Sequence, residues 1–194
     1  MEKLTRETLF SLEKYAEVRN DFRAEVMAHK RDRRLALGMN ATLYFEDRLT
    51  MQYQVQEMLR IERIFEAAGI AEELNAYNPL IPDGNNWKAT FMIEFPDATE
   101  RKTMLQKLIG IENQVWLQIG ECDRIRPIAD QDLQRDTEEK TSAVHFLLFE
   151  LPPEQIRSLK EGASLAAGID HVNYHVEVRP VADNIRRALL HDLN

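Results

Sequence analysis

The order of apolar and polar positions along this chain repeats itself in two neighbouring stretches. Each stretch reads as a strand, a helix and a second strand, over residues 89–96, 97–110 and 114–119 and then over residues 143–152, 153–162 and 172–178. Apolar residues at every second position predict the strands, and apolar residues three or four positions apart predict the helices. The order β-α-β-β-α-β predicts a ferredoxin-like antiparallel sheet with its helices on one face, and a polar loop over residues 121–142 joining the two copies.

The N-terminal part of the chain has a different pattern, which predicts helices around one β-hairpin. Apolar spacing indicates a helix over residues 4–30, and alternation on both sides of a turn at residues 38–40 indicates a hairpin over residues 33–46. Asp47 is a typical N-cap residue, and we expect the helix that it starts to run to residue 68, before Gly69.

Together these patterns predict an α+β protein that forms one compact unit. Residues 1–84 supply the N-terminal helices and the hairpin. Residues 85–194 supply the duplicated ferredoxin-like half, and we expect the N-terminal half to pack on it.

The face of the predicted sheet that points away from its helices is a first candidate site. Met92, Phe146 and Leu148 make this face too apolar to remain in water, whereas its charged residues make it too polar for a simple core. We expect the N-terminal half to cover it; a second subunit and a ligand are the alternatives. The candidate residues on this face are Glu94, Trp116, Glu150, His175 and Glu177.

The helix predicted after Asp47 carries a second candidate site. On a helical wheel, Glu62 falls in the middle of an apolar stripe that includes Met51 and Val55. An isolated buried carboxylate is costly, so Glu62 must be paired, hydrogen-bonded, protonated or bound to a metal. A structural ion pair, a ligand or metal site, and a wrong helix register all remain open. The candidate polar cluster comprises Glu46, Gln54, Glu57, Glu62, Arg31, Arg33 and Arg34.

Composition narrows the functional classes. The 194 residues carry a net charge of −8 and include one cysteine, Cys122. The acidic balance argues against a nucleic-acid partner, and a lone cysteine allows no internal disulfide, which is typical of a cytoplasmic protein. No apolar run approaches the roughly 20 residues that a membrane helix needs, so we expect no membrane association.

Motifs for catalysis or cofactor binding are missing from the sequence. It contains no H-E-x-x-H, no G-x-S-x-G, no P-loop and no G-x-G-x-x-G. A single cysteine excludes a Cys-rich zinc or iron–sulfur site within one chain. We therefore expect no metal and no cofactor, and the sequence identifies no catalytic residues.

Several segments resemble the DUF3501 family of uncharacterised bacterial proteins, above all residues 54–63. The others are residues 30–38, 43–48, 50, 78–82, 89–94 and 141–146, so the similarity covers nearly the whole chain. The family has no established activity and supplies no catalytic residues. Its members are encoded beside rubrerythrin-like and iron–sulfur oxidoreductase proteins, and the resemblance therefore implies an accessory role in a bacterial redox or peroxide-defence system.

The sequence supports two functional hypotheses. The first is a non-enzymatic accessory or binding protein that docks a redox protein partner, for which the mixed sheet face is the support. The second is an enzyme, or a protein that binds a metal or a small anion, with a carboxylate/arginine pocket between its two halves. It predicts a cavity in which carboxylates converge. Ferredoxin-like domains often pair through their sheets, so we also expect a homodimer.

Overall fold

The computed structural model of the chain describes residues 2–129 and 140–194. The helices in these ranges are α1 (Leu12–Arg31), α2 (Arg48–Ile61), α3 (Ala67–Tyr77), α4 (Ala98–Lys107), α5 (Pro153–Lys160) and α6 (Asp183–Leu190). The strands are β1 (Arg34–Ala36), β2 (Ala41–Glu46), β3 (Asn86–Ile93), β4 (Val115–Ile119), β5 (Ile128–Ala129), β6 (Val144–Glu150), β7 (Leu165–His171) and β8 (Tyr174–Val178). Residues 130–139 of the polar loop predicted over residues 121–142 lie outside the described residues.

Capping side chains set the starts of the first two helices. The Ser11 side chain accepts a backbone hydrogen bond from the first turn of α1, and a short 3-10 helix (Arg6–Thr8) precedes it, so α1 begins later than predicted. α2 begins after Asp47, whose carboxylate accepts a hydrogen bond from the Thr50 backbone N–H at 2.9 Å. The predicted N-cap is therefore confirmed.

α2 ends at Ile61, earlier than predicted. Arg63 has a φ of 54°, in the left-handed region, and the Ile64 backbone N–H donates to the Leu59 carbonyl at 2.9 Å. This is the pattern of a Schellman motif, which usually has glycine at the left-handed position. Gly69 lies inside the next helix, α3, so the predicted helix stop at Gly69 is wrong.

The strands form two antiparallel sheets. The larger has the order β1-β2-β3-β6-β5, and the smaller has the order β4-β7-β8. One face of the larger sheet, which includes Leu43, Phe91 and Leu147, shares a hydrophobic core with the smaller sheet and with α4, α5 and α6. The predicted hairpin over residues 33–46 is confirmed as β1 and β2, and β2 continues into the sheet by pairing with β3.

The ferredoxin-like arrangement is not confirmed. β3 and β6 are antiparallel neighbours, as that fold would have them, yet β2 and β5 flank them in place of β4 and β8. β4 pairs with β7, a strand that the sequence pattern did not predict. The Ala-Ala-Gly stretch at the centre of β7 shows no alternation of apolar and polar residues and has little intrinsic preference for a strand. The α+β class itself is confirmed.

A tyrosine hydroxyl joins the two sheets at one edge. Tyr174 on β8 donates to the Leu37 carbonyl at 2.7 Å and accepts from the Asn40 backbone N–H at 3.1 Å. Between them, Gly38 has a φ of +78°, and a Cβ there would lie 2.6 Å from the tyrosine hydroxyl oxygen. The turn therefore requires glycine both for its backbone conformation and for this contact.

The second face of the larger sheet lies under the N-terminal helices. Side chains from α1, α2 and α3 line one cavity together with side chains from β2, β3 and β6. Met92 and Phe146 belong to this face and line that cavity. The N-terminal helices therefore cover this part of the sheet, as we expected, but they leave space between the layers.

Candidate functional site

The space between the N-terminal helices and the larger sheet is the candidate functional site, and we name it the interlayer cavity. Its volume is about 410 Å³. That value is within the range of cavities that bind small molecules. Eleven residues line it: Met27, Lys30, Tyr44, Glu46, Met51, Gln54, Tyr77, Leu80, Thr90, Met92 and Phe146.

Glu46 is the charged group at the sheet side of the interlayer cavity. It is the last residue of β2 and is only 7% exposed. The Thr50 hydroxyl donates to one of its carboxylate oxygens at 2.7 Å, and the Thr90 hydroxyl donates to the other, also at 2.7 Å. The fold brings these groups together because Thr50 lies in the first turn of α2 and Thr90 lies on the adjacent strand β3.

The carboxylate of Glu46 has no cationic partner in the part of the chain that the structure describes. Among the described residues, no lysine, arginine or histidine nitrogen lies within 4.0 Å of it. Lys88 is opposite Glu46 in the β2–β3 register, but its ammonium group binds the Asp83 carboxylate at 2.7 Å and the Ile81 carbonyl at 2.9 Å. A carboxylate that is nine-tenths buried and held only by neutral hydroxyls is a costly arrangement, because burial disfavours the charged form.

Other polar groups around the interlayer cavity are also without partners among the described residues. Lys30 is half-buried; its Nζ lies 5.8 Å from the centre of the Tyr53 ring, and within the described residues no carboxylate is within 4.0 Å of it. The amide of Gln54 and the hydroxyls of Tyr44 and Tyr77 make no hydrogen bond to any part of the chain that the structure describes. These groups are available to a ligand or to water.

The remaining wall of the interlayer cavity is apolar. It consists of three methionines, Met27, Met51 and Met92, together with Leu80 and Phe146. Methionine side chains are unbranched and adapt to ligands of different shape. The cavity therefore combines a few polar groups with an apolar wall, which is the usual composition of a small-molecule site.

A buried arginine holds the backbone that carries Glu46. Arg33 lies between α1 and β1 and is 2% exposed. Its guanidinium group donates to the Phe45 carbonyl at 3.0 Å and to the carbonyl of Glu46 at 3.1 Å. Arg33 therefore fixes the end of β2, and with it the position of the Glu46 side chain, from outside the interlayer cavity.

Two buried carboxylates balance the charge of Arg33. Its guanidinium group binds Asp192, near the end of the described chain, and lies 3.4 Å from Asp47. Burial raises the pKa of Asp192 against the influence of Arg33, and its second carboxylate oxygen has no hydrogen-bond partner within residues 2–129 and 140–194. Burial also opposes ionisation of Asp47, but a 2.5 Å hydrogen bond with His29 and the charge of Arg33 hold its pKa below the usual value.

Only two members of the predicted polar cluster, Glu46 and Gln54, line the interlayer cavity. Arg33 supports it from behind, whereas Arg31 and Arg34 are exposed. Glu62 is exposed, and its predicted place in a buried apolar stripe is wrong because α2 ends one residue before it. None of the three interpretations of Glu62 anticipated that the helix ends before it.

Glu57 forms a structural ion pair between α1 and α2. Arg19 binds both of its carboxylate oxygens, at 2.8 and 2.9 Å, and the Tyr15 hydroxyl donates to it at 2.7 Å. Arg60 adds a second cation on the same helix. The hydrogen bonds from Arg19 are the main reason that the pKa of Glu57 is lowered to about 2.

The residues predicted on the sheet face lie in two different sheets, so that Glu94 and Glu150 are separated from Trp116, His175 and Glu177, which are neighbours in the smaller sheet. Glu94 and Glu150 are exposed residues at the ends of β3 and β6. Trp116 is fully buried in the smaller sheet, where its indole N–H donates to Asp170 at 3.0 Å. His175 and Glu177 are exposed on β8 of that sheet.

The predicted polar cluster did not include four polar groups of the cavity: Lys30 and the hydroxyls of Tyr44, Tyr77 and Thr90. The alternation of β3 does place Thr90 on the same side as Met92, and this was the available signal. Within residues 2–129 and 140–194, no group of three or more His, Cys, Asp and Glu residues is placed to hold a metal ion. No helix in these ranges is both long and apolar enough to span a membrane.

Comparisons with known proteins give a family and a related fold. The family model described as "Protein of unknown function (DUF3501)" matches residues 3–193. A crystal structure of a novel protein of unknown function from Burkholderia pseudomallei K96243 is similar over 100% of both chains, with 46% sequence identity and a TM-score of 0.94. No curated protein matches the chain.

Proposed function

The chain belongs to the DUF3501 family of proteins of unknown function, and we propose from the chemistry of the interlayer cavity that it binds a small organic molecule there. The observation that carries this proposal is the environment of Glu46. Its carboxylate is nearly buried, accepts a hydrogen bond from each of two hydroxyl groups, and has no cationic partner in the described part of the chain. A ligand that supplies the missing partner would remove the cost of burying this charge.

The size and lining of the cavity support the same proposal. About 410 Å³ is enough for a metabolite-sized molecule, and the three methionines and Phe146 would contact its apolar part. The proposal modifies the second hypothesis from the sequence, because the cation that lines the cavity together with Glu46 is Lys30 rather than an arginine.

The first hypothesis stays a prediction. An accessory role in a redox or peroxide-defence system, a redox protein partner and a cytoplasmic location rest on the resemblance and on composition. The homodimer rests on the expected ferredoxin-like fold. A small-molecule-binding protein of the kind that we propose is compatible with an accessory role, because binding requires no catalytic motif.

The proposal is tested by blocking the interlayer cavity. A library of small fragments is screened by saturation-transfer NMR against the natural protein and against Gln54→Trp. Gln54 is suitable because it lines the cavity and its amide has no hydrogen-bond partner among the described residues, so that the indole ring fills space without breaking a contact. We expect fragments that bind the natural protein to be lost in Gln54→Trp.

The matched control is Gln106→Trp, at an exposed position on α4. It adds the same side chain away from the cavity and should leave fragment binding unchanged. The proposal is wrong if no fragment binds the natural protein, or if the fragments bind Gln54→Trp as well as they bind the control.

A further inference from the structure

Two opposite charges line the interlayer cavity without meeting, and they indicate the chemistry of its ligand. Glu46 comes from the sheet and Lys30 from the last turn of α1. Neither has an ion-pair partner within the described residues, and they are not within 4.0 Å of each other. We infer that the ligand is a small dipolar molecule of the amino-acid type, with its ammonium group at Glu46 and an acidic group at Lys30.

The hydrogen bonds at Glu46 favour an ammonium group over other cations. A carboxylate has about four acceptor positions, and the hydroxyls of Thr50 and Thr90 use one on each oxygen. The remaining positions accept N–H donors, which a primary ammonium group has and a quaternary ammonium group lacks. The amide of Gln54, one helical turn beyond Thr50, lies on the same side of α2 and supplies a further acceptor.

A metal ion fits these residues less well. Calcium takes six to eight oxygen ligands and magnesium requires a near-octahedral set. The lining residues offer one carboxylate; their other oxygen groups are neutral amide and hydroxyl groups, and the rest of the wall consists of thioethers, an isobutyl group and aromatic rings. The lining therefore supplies only one charged oxygen ligand for a calcium or magnesium ion.

Lys30 is placed to receive the acidic end of such a ligand. It is only half-buried, and its ammonium nitrogen lies 5.8 Å from the centre of the Tyr53 ring. The attraction between a cation and an aromatic ring is modest at exposed sites. A carboxylate or another anion would replace that contact with an ion pair. Met27, Met51 and Met92 would then hold the apolar side chain of the ligand between the two charged ends.

This inference rests on the proposed function and is tested by a probe series that changes only charge. The probes share a phenyl group: phenylalanine carries both charges, 2-phenylethylamine only the ammonium group, 3-phenylpropionate only the carboxylate, and 2-phenylethanol neither. Affinities are measured by NMR titration of the natural protein. A second series on the skeleton of leucine, with isoamylamine, 4-methylpentanoate and isoamyl alcohol, covers a cavity that fits an aliphatic side chain better.

We expect the dipolar probe to bind most tightly and the amine second, with the carboxylate the weakest because Glu46 repels it. In Glu46→Gln, affinity for the amine should fall at least tenfold, because losing one partner of a buried charge pair is costly. In Lys30→Met, the affinity for phenylalanine should fall about two- to fivefold, a small change because Lys30 is partly exposed. The affinity for the amine should not change. Glu121→Gln and Lys102→Met, both at exposed positions, are the matched controls.

The inference is overturned if the alcohol or the carboxylate binds as tightly as the amine in both series, or if no probe binds. The order of affinities in the natural protein decides this even if Glu46→Gln does not fold. Failure of the proposed function gives a different result, in which Gln54→Trp leaves the binding of every fragment unchanged. Fragments that are lost in Gln54→Trp and show no preference for an ammonium group would leave the proposed function standing and reject the dipolar ligand.

Discussion

Arg33 is the residue whose removal should change the stability of this protein most clearly. Its guanidinium group is buried, binds Asp192, lies 3.4 Å from Asp47, and donates to two backbone carbonyls at the end of β2. The substitution Arg33→Met keeps an unbranched side chain of similar length but removes the charge and every hydrogen-bond donor. Asp192 is then left buried without its cation, whereas Asp47 keeps its hydrogen bond with His29.

The expected loss follows from the cost of an unpaired buried charge. Removing one partner of a buried ion pair destabilises a protein by roughly 3–5 kcal/mol. For a chain of this length, that corresponds to a decrease in melting temperature of about 6–20 °C. Since domains are stable by only about 5–15 kcal/mol, Arg33→Met should lose a large share of the total.

The assay is urea unfolding followed by tryptophan fluorescence. Both tryptophans, Trp87 and Trp116, are fully buried, one in each sheet, so their emission reports loss of the core. The indole N–H of Trp87 donates to the Leu189 carbonyl at 2.9 Å, three residues before Asp192. Fluorescence is therefore sensitive to the region in which the buried ion pair is lost.

The matched control is Arg31→Met, two positions earlier in the chain. Arg31 is exposed and has no ion pair within the described residues, so its substitution should change stability by no more than about 0.5 kcal/mol. The double substitution Arg33→Met/Asp192→Asn should be more stable than the sum of the two single changes predicts, because it removes both members of the pair. The reasoning is refuted if Arg33→Met costs no more than Arg31→Met, or if the two substitutions add.

Acid titration and a single hydroxyl deletion test two further contacts. Hydrogen bonds from Arg19 hold the pKa of Glu57 at about 2 in the folded protein, below its usual value of 4.5. As the pH falls, the unfolded chain therefore takes up this proton before the folded protein does. The free energy of unfolding should consequently decrease as the pH drops from about 4.5 towards 2. Glu57→Gln should flatten this slope in urea titrations, whereas Glu17→Gln on the exposed side of α1 should not; equal slopes would contradict the assignment. Tyr174→Phe should cost about 1–2 kcal/mol in the same assay because two hydrogen bonds are lost. Tyr53→Phe, whose hydroxyl has no hydrogen bond among the described residues, should cost almost nothing, and equal losses would refute the role of Tyr174.

Local signals in the sequence were sufficient for the hairpin and for the start of α2. Alternating residues on both sides of Gly38 gave β1 and β2, and a capping aspartate gave the first residue of the helix. The end of α2 was not predictable in this way, because Arg63 occupies a left-handed position that sequence rules reserve for glycine. Sheet order depends on contacts between distant segments, and so the pairing of β2 with β3 was missed.

The candidate site was predicted in part for the same physical reasons. Glu46 and Gln54 were named as members of the polar cluster that the helical wheel predicted around Glu62. Glu62 was misplaced because a helical wheel assumes that the helix continues. Lys30 became part of the site only through the packing of α1 against α2, and Thr90 only through the pairing of β3 with β2; neither contact is specified by a local pattern.

The ion pair between Arg33 and Asp192 also has a consequence for the synthesis of the protein. These residues are 159 positions apart. A ribosome that adds roughly 5–20 residues per second needs on the order of 8–30 s to travel from one codon to the other. During that interval the strand that ends in Glu46 can pair, but the arginine behind it lacks one of its two carboxylates. Until Asp192 has been synthesised, the N-terminal half of the molecule lacks this ion pair even if its helices have formed. Chaperones and proteases would therefore encounter this half in an incomplete chain.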